Sequence, residues 1–425
     1  MKVLVVGGGG REHAICWKLS QSPRVTELLC APGNGGIAQV ARCIPDVKAT
    51  DLDGVLKLCR DEKVDFVVVA PDDPLAMGMV DMLTREGIPA FGPTQSAARM
   101  ESSKIFSKNL MKKYGIPTAA YETFDDAQAA LDYVAAAKTP IVIKADGLAL
   151  GKGVIIAKTN AEAADAVRSM MLEGAFKQSG KRVVIEEFMS GRECTVLCFC
   201  DEHAIVPMPS SQDHKRALDN DEGLNTGGMG AVAPTPFYDK ATAKRVYDEI
   251  LKPTLDAMNA EGLNFRGVLY AGLMLTSDGP KVVEYNARFG DPETQAVLPL
   301  LKTDLMDIFE AVSKGELEKV NIEWRDDASA ACVVLASGGY PVKYQSGYEI
   351  TGIDAAEKTG AKVFHAGTKQ DGDKLLTAGG RVLGVTALAD TLPDALKAAY
   401  AAAEKISFKD MHMRHDIGAN ALRKD

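Results

Sequence analysis

The first hundred residues alternate short, continuously apolar runs with stretches of helical period. Residues 2–6 (KVLVV) read as a strand buried on both faces, and 11–22 (REHAICWKLSQS) as the helix that follows it. Further apolar runs lie at 27–33 (ELLCAPG), 64–71 (VDFVVVAP) and 88–93 (IPAFGP). Continuous apolar strands alternating with helices predict a doubly wound, mostly parallel sheet. Residues 103–117 predict a helix that stops at Gly115, with Pro117 just beyond. From about residue 120 the pattern changes. Residues 139–159 (TPIVIKADGLALGKGVIIAKT) read as two strands joined by a glycine-rich loop, followed by a helix at 161–172 and a strand at 181–187. This is the pattern of a small α+β lobe. Residues 209–235 have no period, many polar residues and a glycine cluster, and are expected to form a long loop. A long helix at 239–262 precedes a hairpin whose strands, 267–275 and 281–286, meet at Ser277-Asp278-Gly279. After about 326 come short strands and glycine turns with one late helix, 392–406.

Composition narrows the function without naming it. The chain has 425 residues, 25% charged and 46% hydrophobic, an ordinary globular balance with room for several domains. A net charge of −9 argues against the broad basic footprint of a nucleic-acid binder, so no nucleic-acid partner is expected. No apolar run is long enough to span a membrane, and the N-terminal run is too short for a signal core; no membrane partner and a cytoplasmic location are expected. The 8 cysteines lack paired metal-ligand spacing. Cys194, Cys198 and Cys200 would share one face of a strand as core thiols.

Candidate chemistry sits at four places. Gly7–Gly10 occupy the corner between the first strand and its helix, where anions bind. Glu12 and His13 stand where a dinucleotide fingerprint needs glycine, and no acid closes the second strand, which disfavours an NAD-dependent oxidoreductase. The loop 147–153 (GLALGKG) carries Lys152 between glycines and joins two strands, so it differs from a Walker loop but can still fold over phosphates. Lys144 ends an apolar strand, an expensive position without an anionic partner. Glu284 and Asn286, two apart on one strand, present two oxygen ligands to one face and suit a hard cation such as Mg²⁺. Arg288, Asp291 and Glu293 crowd the turn that follows. A guanidinium there could grip a small carboxylate, or could merely pair with Asp291 or Glu293. Among the histidines His214 is the most site-like, and no catalytic triad is visible.

Taken together, GGGGREHA, APGN, IVIKADGLALGKGV, EEF, SQDHKR, NTGGMGA and EYNARFGDPETQ resemble one family over essentially the whole chain. It is the glycinamide ribonucleotide synthetases (phosphoribosylamine–glycine ligases) of the ATP-grasp superfamily. Gly8 stands where that family usually has Asn, and Pro71-Asp72-Asp73-Pro74-Leu75 replaces its usual PEAPL; both lie in the N-terminal region and bear on the phosphoribosylamine site. The resemblance implies a preATP-grasp domain at 1–102, an ATP-grasp domain at 103–325 with a mobile lobe at about 120–190, and a β-rich domain at 326–425. It implies ligation of glycine to 5-phosphoribosylamine with ATP through glycyl phosphate, with Mg²⁺ or Mn²⁺. Another ATP-grasp carboxylate–amine ligase of purine metabolism is the alternative. By matched motif, Lys104, Lys144, Gly151, Lys152 and Gly153 are expected at the ATP phosphates. Glu186, Glu187 and Phe188 are expected at adenine, and Glu193 at the ribose. Glu284 and Asn286 are expected to hold the metal, and Arg288 and Asp213 to lie near glycine, with Arg288, Asp213 and Lys152 in catalytic roles. Gly9, Gly10 and Asn34 are expected to bind phosphoribosylamine. A monomer is expected.

Overall fold

The computed structural model describes residues 1–149, 153–174 and 176–423. Five parallel strands form the first sheet, in the order Arg42–Cys43, Glu27–Pro32, Lys2–Gly7, Phe66–Val69, Ala90–Phe91. The central strand is buried on both faces, as its unbroken apolar run requires. Arg42–Cys43 was not expected, because two residues carry no readable period. The strand order reverses at Lys2–Gly7, which puts the glycine corner at the switch point where α/β sheets bind ligands.

The small lobe is a four-stranded antiparallel sheet ordered Tyr121–Phe124, Val183–Glu187, Ile141–Ala145, Val154–Ala157. Helices Ala127–Ala136 and Asn160–Val167 bury Ala130, Val134, Ala163 and Val167 with the apolar side chains of those strands. A second antiparallel sheet runs Ile205–Pro207, Arg192–Cys200, Gly267–Thr276, Gly279–Asn286. Cys194, Cys198 and Cys200 do share one face there, packed with Ile250 and Leu255 as core thiols. The helix expected at 239–262 is continuous but widens over Tyr247–Leu251. Pro253 lacks the N–H that an α-turn would need at that point.

The expected long loop at 209–235 is instead structured. Gln212–Asp213 and Gly230–Ala233 are strands of the sheet that continues through Ser329–Ser337, Arg381–Ala389 and Lys362–His365. Between them stands a hairpin, Arg216–Leu218 paired with Glu222–Asn225. Strands of two to four residues, rich in glycine and paired a hundred residues away, leave no periodic trace in sequence. One sheet therefore draws strands from both sides of residue 326.

Phe309, on helix Leu305–Lys314, stacks on Phe91 of the parallel sheet at 4.0 Å between ring centroids. It also meets Phe289 edge-on, and Phe289 in turn meets Phe199 of the second antiparallel sheet. This aromatic chain bonds the first sheet to the second. Phe309→Ala should cost about 3–5 kcal/mol, the range for a fully buried Phe. A urea midpoint within error of the parent protein would refute that assignment.

Candidate functional site

The sheets surround a cleft of about 1010 Å³. Ser103 caps helix Lys104–Tyr114, its Oγ accepting from Phe106 N–H at 3.2 Å. Asp146, at the start of the glycine-rich loop, accepts from Ser103 Oγ (3.0 Å) and Ile105 N–H (3.1 Å). Lys104 Nζ donates to Gly147 O at 3.0 Å. The helix start and the loop are thus locked together, with Lys104 at the cleft. Gly153 lines the cleft; Gly151 and Lys152 lie outside the described residues.

Lys144 has the partner its position demanded, although that partner is protein. Its Nζ lies 3.0 Å from Glu186 Oε2 and donates to Val283 O at 3.0 Å. Lys108, also buried, shares the same carboxylate at 3.1 Å and donates to Thr118 Oγ1 at 2.7 Å. Two ammonium groups face one carboxylate, so the cluster keeps a net positive charge beside the cleft. Desolvation and the neighbouring Lys144 push Lys108 down to about 8, against the pull of Glu186. Glu187 alternates to the other face of its strand, where its Oε1 accepts from Ala120 N–H at 3.0 Å. Phe188 and Glu193 line the cleft, with the Phe188 side chain exposed.

Glu284 and Asn286 project into the cleft from strand Gly279–Asn286. Burial alone would raise the Glu284 carboxyl. Lys215, Lys144, Lys104 and Arg288 together hold it below the ordinary range, hence ionised. An anionic carboxylate beside an amide oxygen is a donor set for Mg²⁺ or Mn²⁺. No cluster of three or more His, Cys, Asp or Glu suited to a metal exists among the described residues. The set therefore fits a cation that completes its shell with phosphate oxygens and water.

Arg288 does not pair with Asp291 or Glu293. Its Nη2 lies 2.9 Å from Glu101 Oε1, while Glu101 Oε2 accepts from Ala287 N–H at 2.8 Å. Its Nε is buried without a partner among the described residues. Asp291 instead meets Arg381 at 3.3 Å and accepts from Gln295 Nε2 at 2.7 Å. Burial and then Asp213 push the Glu293 carboxyl up to about 7; burial likewise raises Asp213.

The residues expected at phosphoribosylamine lie at the glycine corner and beside it. Asn34 Nδ2 donates to Gly8 O (2.9 Å) and His365 O (2.8 Å), and its Oδ1 accepts from the N–H groups of Gly36 and Ile37 (both 2.9 Å). Its amide is committed to joining two parts of the fold. Gly9 and Gly10 begin helix Gly10–Leu19 but do not line the cleft; Arg11 and Asp72 do. A Cβ on Gly10 would come within 2.5 Å of Gln295 Nε2, so close packing explains that glycine. Sequence reasoning missed Arg11, Asp72, Glu101, Lys108 and Tyr270. Arg11 was within the quoted GGGGREHA, whereas nothing in the sequence marks Glu101.

The class of protein follows from comparison. Residues 102–294 match the phosphoribosylglycinamide synthetase ATP-grasp (A) domain, which makes this an ATP-grasp fold. A 2-oxoglutarate carboxylase biotin carboxylase domain of Hydrogenobacter thermophilus shares the fold at a TM-score of 0.74 and 14% identity, over 97% of this chain and 91% of that one. Residues 1–101 and 330–420 match the N and C domains of the same synthetase. A phosphoribosylamine–glycine ligase of Caldanaerobacter subterraneus subsp. tengcongensis is 48% identical over 99% of this chain and 100% of its own length. The trifunctional purine biosynthetic protein adenosine-3 of Gallus gallus is 48% identical over 99% of this chain and 42% of its own. The crystal structure of the Thermotoga maritima phosphoribosylamine–glycine ligase superposes with a TM-score of 0.85 at 33% identity, covering 98% of this chain and 100% of that one. The chain belongs to the phosphoribosylglycinamide synthetase family.

His214 lines the cleft, and both its ring nitrogens face backbone groups. Its Nε2 accepts from Gly418 N–H at 2.9 Å, and its Nδ1 lies 3.3 Å from Gly230 O. Burial, then Arg414, lower it to about 4, against Asp221 and Asp416. The folded protein thus prefers neutral His214, and this stabilisation is complete above the unfolded value of ~6.5 and drains away as pH falls toward 4. By pH 5 it should cost roughly 2 kcal/mol. The drop in urea midpoint between pH 7.5 and pH 5 should be smaller in His214→Gln, and an identical drop would exclude this role.

Proposed function

We propose that this chain ligates glycine to 5-phosphoribosylamine with ATP, giving glycinamide ribonucleotide, ADP and phosphate. The reading is carried by one conjunction: full-length likeness to ligases of that name, and a cleft that gathers Lys104, Lys144, Glu284, Asn286 and Arg288. The glycine carboxylate attacks the γ-phosphorus, breaking its bond to the β–γ bridging oxygen and releasing ADP. The phosphoribosylamine nitrogen then attacks the glycyl carbonyl carbon and expels phosphate. Neither step needs a covalent bond to the enzyme, in keeping with the missing triad. What the protein supplies is position and charge.

Lys104 and Lys144 stand where they can neutralise phosphate oxygens, the latter held in place by Glu186. Lys152 and Gly151 belong to the same role by motif. Glu186, Glu187 and Phe188 border the adenine end, and Glu193 the ribose. Glu284 and Asn286 would hold Mg²⁺ or Mn²⁺, which when bound offsets the charge of the phosphates. Arg288, oriented by Glu101, grips the glycine carboxylate, and Asp213 faces its ammonium. Arg11 and Asp72 are the N-terminal side chains facing the phosphoribosylamine end.

ADP release coupled to a spectrophotometric assay tests the reaction. ADP should form at a sustained rate only with glycine and phosphoribosylamine both present. A sustained rate with a different carboxylate, and none with glycine, would favour another ATP-grasp ligase. Arg288→Lys replaces a two-pronged grip with a point charge. It should raise the KM for glycine at least tenfold, about 1.4 kcal/mol, and leave that for ATP nearly unchanged. Equal rises in both would make Arg288 a structural residue.

A further inference from the structure

The segment 411–423 enters none of these steps, yet its Asn420 and Arg423 line the cleft. It runs along the hairpin Arg216–Leu218/Glu222–Asn225, whose Arg216, Asp221 and Asn225 line the same cleft. A series of bonds joins them. His412 Nε2 lies 2.7 Å from Ala217 O, and Arg414 Nη1 donates to Arg216 O at 3.2 Å. His415 N–H donates to Asp219 Oδ1 at 2.7 Å, and Asn220 N–H donates to Asp416 Oδ2 at 2.8 Å. Asn420 Nδ2 donates to Asp221 Oδ2 at 2.8 Å.

Arg414 is the centre of this seam. It is 0% exposed, the largest fully buried side chain among the described residues. Its guanidinium forks onto Asp416, 2.8 Å to each oxygen, and reaches Asp221 Oδ1 at 2.9 Å. Burying ions is costly enough that such a cluster is poor evidence for stability and better evidence for specified geometry. That geometry has a visible object. Asn220 and Asp221 at the hairpin tip have φ of 58° and 54°, two consecutive non-glycine residues in the left-handed region. Asn and Asp take this region readily at hairpin tips, so what fixes the tip in place is its bonds to the C-terminal segment. Here Asp416 holds Asn220, and Arg414 with Asn420 holds Asp221.

The opposite end of the hairpin reaches the expected ribose residue. Lys215 Nζ lies 3.9 Å from the Glu193 carboxylate, and Gln212 Nε2 donates to Glu193 O at 3.0 Å. Arg192 Nη2 donates to Arg423 O at 2.6 Å, closing a circuit of segment, hairpin and strand around one wall of the cleft. We propose that Arg414, acting through Asp221 and Asp416, is a positioning residue that fixes the hairpin against the C-terminal segment and thereby shapes the nucleotide wall containing Glu193 and Lys215. The proposal rests on the ATP reading above.

Calorimetric titration of MgATP alone into the full chain tests it. Arg414→Lys keeps the charge and loses the fork; Asp416→Asn, at a partly exposed site, gives the same test with less risk to folding. Both should weaken MgATP about tenfold, with kcat at saturating ATP falling less than that. Hydrogen exchange should quicken at 216–225 while Ser329–Ser337 keeps its protection. Unchanged MgATP affinity in both single variants would overturn the proposal. So would a joint loss of protection in hairpin and sheet. If the parent chain itself fails to bind MgATP, the ATP reading falls, and this inference with it.

Discussion

One ammonium group ties the working parts of this molecule together. Lys144 belongs to the small lobe, yet its Nζ donates to Val283 O on the hairpin strand between Glu284 and Asn286 and the lobe. That carbonyl is free because the hairpin slips register there: Gly272 pairs with Glu284 and Leu273 with Val282, leaving Val283 without a partner. A bulge thus aims one carbonyl out of its ladder, and a buried lysine from another sheet takes it. Glu186, from the neighbouring strand of the lobe, fixes the other side of the same ammonium. The distance from Lys144 to the strand carrying Glu284 and Asn286 is therefore set by a hydrogen bond and an ion pair, both shielded from water, where they are strongest.

This dependence explains which features were legible in the sequence. The parallel sheet announced itself because each strand is a continuous apolar run between turn signals. The hairpin announced itself because Ser277-Asp278-Gly279 separates two such runs. Glu284 and Asn286 could be read as a same-face pair because strand geometry has a fixed period; the bulge lies just before them and leaves their alternation intact. Lys144 could be flagged as an anomaly, a charge ending an apolar strand, but not its partner. Glu186 is forty-two residues away, and nothing local distinguishes its inward carboxylate from the outward one of Glu187. Arg288 shows the same limit. Its nearest acids in sequence, Asp291 and Glu293, are turned to other neighbours, while Glu101 arrives from a helix nearly two hundred residues earlier. The segment 209–235 was misread for a related reason. Its strand Gly230–Ala233 pairs with Ser329–Ser337, a hundred residues on, and its other strands are only two to four residues long.

Fold and function separate at this level of detail. A biotin carboxylase domain at 14% identity shares the fold, so the architecture alone does not select a substrate. The cleft is lined beyond the sheets by Arg11 and Asp72 at helix starts of the first domain, the turn at 288–293, and the hairpin at 216–225. Each is anchored by residues remote in sequence, Phe289 O for Arg11, Glu101 for Arg288 and Arg414 for the hairpin. Varying such anchors can re-aim a substrate contact without disturbing a strand.

The carboxylates of the cleft show how one cavity can hold groups of opposite proton affinity. Glu284 and Glu293 are both buried, and desolvation pushes both upward. Glu284 faces Lys215, Lys144, Lys104 and Arg288, and the combined positive charge outweighs burial and keeps it ionised. Glu293 faces Asp213, a like charge, with Arg288 as a weaker offset, and is driven up to about 7. Pairs of groups whose surroundings push their proton affinities apart are the usual mark of divided labour in an active site. Glu284 is fixed as an anion and fit to meet a cation. Glu293 can take up or release a proton near neutrality, in a reaction that must shed one when an amine becomes an amide. Lys215, Lys144 and Lys104 hold the Glu284 side of this division, while burial and Asp213 set the Glu293 side.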